Sequence, residues 1–233
     1  GLALLAFIAV LWLTEALHVT VTALLIPLVS IGLGLVTTKQ ALAAFADPTI
    51  FLFFGGFALA TALHIQKLDK MIANKIMAFA RGHLFIAIIY LFLITAFLSM
   101  WMSNTATAAM MLPLAMGILS QMDREKEHNT YVFVLLGIAY SASIGGMGTL
   151  VGSPPNAIVA SNLHLTFSEW LWYGLPTMIV LMPLMIGTLY IMLKPKLNTT
   201  FAQSFDKIEL DGKRILTLFI FAMIAFCWIF SGK

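Results

Sequence analysis

The chain has 233 residues, 61% of them hydrophobic and only 10% charged, with a mean hydropathy of +0.99. That composition excludes an ordinary soluble domain and places the chain in a lipid bilayer. The net charge of +3, from 13 Lys and Arg against 10 Asp and Glu, therefore reports on topology and gives no case for nucleic acid. A single cysteine, Cys227, lies in an apolar run, so there is no disulfide framework and the residue is expected to be a small buried hydrophobe. Gly1 begins inside an apolar segment with no Met, charged n-region or cleavage site, so it is no signal peptide and the chain reads as a piece of a longer protein.

In chain order, residues 1 to about 17 and Val19 to Val36 are membrane-helix candidates. Pro27 falls inside the second, where Thr22 or a neighbour is expected to satisfy the carbonyl that the proline frees. A loop with Lys39 follows, and Asp47 and Pro48 open a third apolar run that reaches His64 through Gly55 and Gly56, glycines suited to close helix contact. Residues 67–81 alternate Leu68, Met71, Ile72, Ile76 and Phe79 with Lys70, Asn74 and Lys75, an amphipathic helix expected to lie in the membrane interface. Residues 84–101 would extend about 27 Å as a helix and residues 106–119 only about 21 Å, too short to span. The pair reads as a re-entrant hairpin over 84–119, the alternative being two true crossings.

Residues 131–163 open as a helix but contain Gly145, Gly146, Gly148, Gly152, Pro154 and Pro155, which predicts a broken helix. The last full span, 170–193, starts with Trp170, Trp172 and Tyr173 as an interfacial belt. A polar linker over 194–214 leads to a final apolar stretch within 215–233. Four Lys and Arg lie in residues 67–81, two at positions 124 and 126, and five in 194–214, against Lys39 and Lys233 elsewhere. If the hairpin returns to its start and 131–163 cross once, those eleven share one side, which the positive-inside rule makes cytoplasmic.

The chemistry concentrates at two interruptions. Between Gly82 and Gln121 there is no Lys, Arg, Asp or Glu, yet Ser103, Asn104 and Thr105 stand in succession, with Ser99 one helical turn earlier on the same face. An unpaired hydroxyl or amide in hydrocarbon costs roughly 2 to 7 kcal/mol, so such a cluster needs a ligand, water or facing protein groups. Ala106, Thr107, Ala108 and Ala109 then suit a second helix approached closely by another backbone. The other interruption, TLVGSPPNA from Thr149 to Ala157, offers Gly152, Ser153 and Asn156 beside two prolines that lack N–H groups and leave carbonyls free. Half-helix ends of this kind supply a positive field for an anion and carbonyls for Na+, a design of secondary transporters. Hydroxyl, amide and carbonyl oxygens suit a hard cation. Without Lys or Arg in either region, an anionic substrate must bring cations with it.

Other polar residues read structurally. His64 and His83 suit membrane ends, His18, His128 and His164 turns, the methionines packing, and Glu15 an interfacial anchor. An intramembrane enzyme would need a nucleophile with a base, or paired acids, at depth, and the two uncharged regions lack them. A channel fits a re-entrant loop but calls for a continuous pore, and saturable sodium-dependent uptake separates it from a transporter.

SNTATAAMMLP followed some fifty residues later by VGSPPNA, together with WLTEALHVTVTALL and YSASIGG, resembles the divalent anion/sodium symporter family, the INDY-like dicarboxylate transporters. The resemblance covers almost the whole chain. It implies an all-α polytopic membrane protein of two inverted repeats, each with a re-entrant hairpin and a discontinuous helix, of which this chain holds one. Residues 1–81 would then be scaffold helices with the amphipathic helix, 82–193 the transport unit, and 215–233 the first helix of a second repeat, with a further helix before Gly1. Ser99, Ser103, Asn104 and Gly152 would bind sodium, while Asn104, Thr105 and Ser153 would face a substrate carboxylate. A homodimer of multi-pass chains in a bacterial inner membrane, moving dicarboxylates by an elevator motion, is the implied assembly. Intact sodium ligands favour symport over the sodium-independent exchange that some members carry out.

Overall fold

The computed structural model describes residues 1–201 and 209–230, apart from the side chains of Ala44 and Thr49. The described residues form helices joined by short turns, with no strand beyond an isolated antiparallel bridge between His83 and Thr200. The chain divides into two compact units, Gly1–Phe51 and Leu52–Lys233. The reading as an all-α membrane protein is borne out.

The first unit contains α1 (Leu2–Leu13), α2 (Val19–Gly32), the short α3 (Thr38–Ala43) and a 3-10 turn, Ala44–Ala46. His18 caps α2 by accepting the Thr20 N–H at its Nδ1. Thr22 does not answer the carbonyl freed by Pro27; its hydroxyl turns back to His18 O at 3.5 Å. The expected loop around Lys39 is instead α3, started by a capping box in which Gln40 Oε1 accepts the Thr37 N–H at 3.0 Å while the Gln40 N–H donates to Thr37 Oγ1 at 3.3 Å.

Helix α4 (Pro48–Ile65) begins in the first unit and continues into the second, where it turns through 64° into α5 (Leu68–Ala78). At the corner the Asp69 carboxylate, fully buried, meets His64 Nδ1 at 2.7 Å, so His64 is a partner as well as an end residue. On α5 Leu68, Ala73 and Met77 are buried, the last two in the core with Leu84, Ala87 and Ile88, while Phe79 just past its end stays exposed. Gly56 of α4 lies against the Val151 side chain and Gly55 against the Trp228 ring, the close contacts their lack of Cβ allows.

Helices α6 (Leu84–Ser99) and α7 (Asn104–Leu119) form the predicted hairpin, and α8 (His128–Gly146) packs along both. Phe92 of α6 presses onto α8 at Gly137, and the Ala96 backbone crosses at Gly145; a Cβ at either glycine would collide with it. After α8 come a 3-10 turn (Leu150–Gly152), α9 (Pro154–Leu163) and α10 (Phe167–Leu193), so the broken helix is present. α10 starts three residues earlier than the aromatic belt suggested, because Thr166 and Glu169 form a capping box. α11 (Gly212–Phe230) starts within the predicted linker: Asp211 Oδ1 accepts the Arg214 N–H at 2.8 Å, and Arg214 Nε donates to Gln66 O at the end of α4. Positions 202–208 of the linker and 231–233 lie outside the described residues. Cys227 is exposed rather than buried, as expected of an apolar helix that has only Ala225 buried.

One end of the second unit is laced together. Leu84 N–H donates to Thr199 O and Phe201 N–H to Gly82 O. Lys196 N–H donates to Thr130 Oγ1 at 3.0 Å, and its ammonium lies 3.3 Å from Glu127. The Tyr131 hydroxyl donates to Leu119 O at 2.5 Å. These bonds bring the start of α6, the ends of α7 and α10 and the start of α8 to a common level, so the hairpin returns to where it began. At the other end Gly174 of α10 abuts the Met147 and Gly148 carbonyls beside the hairpin tip. α10 continues seven residues, about 10 Å, beyond that level, and the ten residues of α9 add about 15 Å. Trp101 of the hairpin tip stacks on Phe167, the first residue of α10, with ring centroids 6.2 Å apart. A cysteine placed between Gln121 and Thr130 should be labelled from one side of the membrane and one at Ser168 from the other; labelling from the same side would refute this arrangement. Gly145→Ala should cost roughly 1 to 3 kcal/mol by overpacking and lower the melting temperature in detergent, whereas Gly187→Ala, with nothing within 4 Å of its added Cβ, should leave it unchanged or raise it.

Candidate functional site

At the hairpin tip the backbone leaves α6 at Ser99 and enters α7 through Ser103, which sits at the cap position in extended conformation and accepts the Ala106 N–H at its hydroxyl, 3.3 Å away. The Ser103 carbonyl receives both the N–H and the hydroxyl of Thr107. The N–H groups of Asn104 and Thr105, the first two of the helix, have no acceptor among the described residues, so the α7 N-terminus keeps two free donors and its positive field.

Behind the tip, three oxygens converge. The fully buried Ser99 Oγ lies 2.8 Å from Asn104 Oδ1 and 2.7 Å from the Ala142 carbonyl of α8. Ser99 has one hydroxyl proton and can give it to one of these acceptors. Asn104 Oδ1 rests on Gly146, where a Cβ would occupy its place. Gly146 in turn packs against Gly152, whose added Cβ would stand 2.5 Å from Gly146 O. The buried Gly152 carbonyl accepts from no described donor.

The broken helix is held by neutral side chains. The Asn156 amide, mostly buried, donates to Gly146 O at 2.8 Å and Thr149 O at 2.7 Å. Thr149 Oγ1 donates to Met100 O, tying the break to the hairpin tip. Trp170 Nε1 donates to Met147 O at 3.0 Å; this tryptophan, expected in the interfacial belt, serves the break, while Trp172 and Tyr173 stay exposed. Ser153 occupies the N-cap position of α9 without a side-chain capping bond: Pro154 and Pro155 present no N–H, and the Asn156 N–H donates to the Ser153 carbonyl instead.

The geometry thus gathers Ser99 and Asn104 directly and Gly152 at one remove through Gly146. Ser103 is exposed, with its hydroxyl engaged in the cap. Asn104 and Thr105 line a groove of about 560 Å³ between α7 and α8, with Ala108, Ala109, Ala142 and Ser143 along its walls. Ser153 does not line that groove. Sequence reasoning missed the Ala142 carbonyl, for which no side chain can give a signal, assigned no role to Thr149, and gave Trp170 only a place in the interfacial belt. Among the described residues no cluster of His, Cys, Asp and Glu could hold a transition metal; the site is one of neutral oxygens and helix ends.

Comparison with known proteins agrees with this chemistry. The chain is 82% identical over its full length to an uncharacterized transporter of Haemophilus influenzae, covering 50% of that protein. It is 41% identical over 99% of its length to an uncharacterized transporter of Methanocaldococcus jannaschii, covering 52% of it. It is 31% identical over 98% of its length to a sodium-dependent dicarboxylate transporter of Staphylococcus aureus, covering 48% of it. The chain therefore spans about half the length of these relatives. The citrate transporter family model matches residues 9–232, and the chain belongs to that family of membrane transporters, which are not enzymes.

Proposed function

We propose that this chain is one half of a secondary active transporter that carries C4-dicarboxylates, succinate-like in size, together with sodium. The observation that carries the reading is the crowding of Ser99 Oγ, Asn104 Oδ1 and Ala142 O around one proton. Ser99 has one hydroxyl proton for two acceptors, and a small hard cation seated among the three oxygens would be coordinated by all of them at once, which no single neutral donor can match. The free Gly152 carbonyl supplies a further oxygen. Ser103 joins the sodium set, with Ser99, Asn104 and Gly152, if its hydroxyl leaves the long bond to Ala106. The named sodium dependence of the Staphylococcus aureus relative supports the same ion.

The substrate reading rests on the two free N–H groups at the start of α7, beside the Asn104 and Thr105 side chains. One carboxylate would meet these neutral donors, and Ser153 at the start of α9 would face it from the second break. The rest of the substrate site would lie in the part of the transporter outside this chain. Residues 1–81 would act as scaffold and 82–193 as the moving unit of an elevator, in a homodimer in a bacterial inner membrane, with 194–214 as a cytoplasmic linker and 215–233 as the first helix of the second repeat.

Charge balance sets the coupling. A dianion cannot be offset in a low-dielectric site by hydroxyl and amide dipoles alone, so sodium and dicarboxylate should each tighten the other. Replacing Na+ by choline at constant ionic strength should weaken apparent succinate affinity at least tenfold, about 1.4 kcal/mol. Ser103→Ala should shift the sodium dependence more than the maximal rate. If uptake by the full-length protein is indifferent to sodium, exchange replaces symport. Asn104→Ala should bring uptake to background while the purified protein keeps its elution profile and melting temperature; wild-type transport by this variant would remove Asn104 from the site.

A further inference from the structure

Asn156 stands at the start of α9, outside the groove and outside the set of oxygens assigned to the ion. Its amide nitrogen carries two protons, and both are committed, one to the Gly146 carbonyl and one to the Thr149 carbonyl. These carbonyls belong to opposite sides of the turn that ends α8, so the amide bridges the last helical residue and the beginning of the 3-10 turn. Gly146 is also the surface on which Asn104 Oδ1 rests, and Thr149 is the residue that donates to Met100 O in the hairpin tip. One buried amide therefore fixes two backbone groups that each touch the tip.

A continuous chain of contacts follows. It runs from α9, which begins at Ser153, through the Asn156 amide to Gly146, from Gly146 to Asn104 Oδ1, and from there to Ser99 Oγ and the Ala142 carbonyl. The links are short and neutral, buried except at Asn104, which also lines the groove. No Lys or Arg occurs in 131–163 to take over the task, and a cation at that point would repel sodium. A carboxamide is the side chain that can serve two carbonyls at once without bringing charge.

We infer that Asn156 is a positioning residue for ion coupling: acting through Gly146, it holds Asn104 Oδ1 in the sodium cluster and ties that cluster to the α9 end at which the substrate carboxylate would bind. This rests on the proposed sodium-coupled function. A substitution that frees Gly146 and Thr149 should loosen sodium binding and weaken the link between the two ligands, yet leave the transport step itself available once sodium is saturating.

The test is radiolabelled succinate uptake by the full-length protein in proteoliposomes, titrated with sodium for the wild type, Asn156→Ala, Asn156→Ser and Asn156→Gln. The expected result for Asn156→Ala is at least a fivefold rise in the sodium concentration for half-maximal uptake, with the maximal rate within about threefold of wild type. Asn156→Ser, which keeps one donor, should fall between Asn156→Ala and the wild type, and Asn156→Gln, which keeps both, should restore much of the sodium affinity. If Asn156→Ala does not fold, the Ser and Gln variants carry the same ordered comparison. An unchanged half-saturation point, or a fall in maximal rate alone, would overturn the inference while the proposed function stood. A wild type whose uptake ignores sodium would overturn both.

Discussion

Backbone groups at membrane depth must find partners inside the protein, and a helix interrupted there exposes several carbonyls at once. In this chain the partners are all neutral. Asn156 takes Gly146 O and Thr149 O, Trp170 takes Met147 O, and Thr149 takes Met100 O. At Ser99 a single hydroxyl proton faces two acceptors, Asn104 Oδ1 and the Ala142 carbonyl. Three carbonyls at and beside the break are thus capped by neutral side chains, the Gly152 carbonyl accepts from no described donor, and oxygen is concentrated around Ser99, the arrangement on which the proposed cation site rests.

Glycine makes that concentration possible. The Ala96 backbone could not cross α8 at any residue with a side chain at position 145, nor could Asn104 reach its place with one at 146. Ser99 comes within reach of Ala142 because α6 and α8 approach at these points. The packing, the tip geometry and the convergence of oxygens at Ser99 are thus one constraint. Larger residues at the contacts would separate the hairpin from the broken helix and disperse the oxygens.

Much of this was legible in the residues. The uncharged interruptions around Ser103 to Thr105 and Gly152 to Asn156 marked both breaks, and α6 to α10 appear in the expected order. What escaped had specific physical causes. The starts of α3 and α10 are set by capping boxes, Thr37 with Gln40 and Thr166 with Glu169, a polar signal that hydropathy does not carry. The apolar residues of α5 are shared between the protein, where Ala73 and Met77 join the core, and an exposed Phe79 just past its end, since amphipathicity says that a face is covered and not by what. Trp170 looked like a belt residue because aromatic position gives no hint of an indole donor's partner. The Ala142 carbonyl could not be seen at all, because every residue has one and only the fold aims it.

The central claim is that Ser99 Oγ, Asn104 Oδ1 and Ala142 O form a cation site. Its most direct test is a pair of high-resolution cryo-electron microscopy maps of the full-length protein in matched detergent, one in sodium and one in choline. The account predicts an ion-like peak among these three oxygens in sodium and its loss in choline, with the Ser99 hydroxyl turning back to a single acceptor. The same empty cluster in both maps, or sodium bound elsewhere, would contradict it.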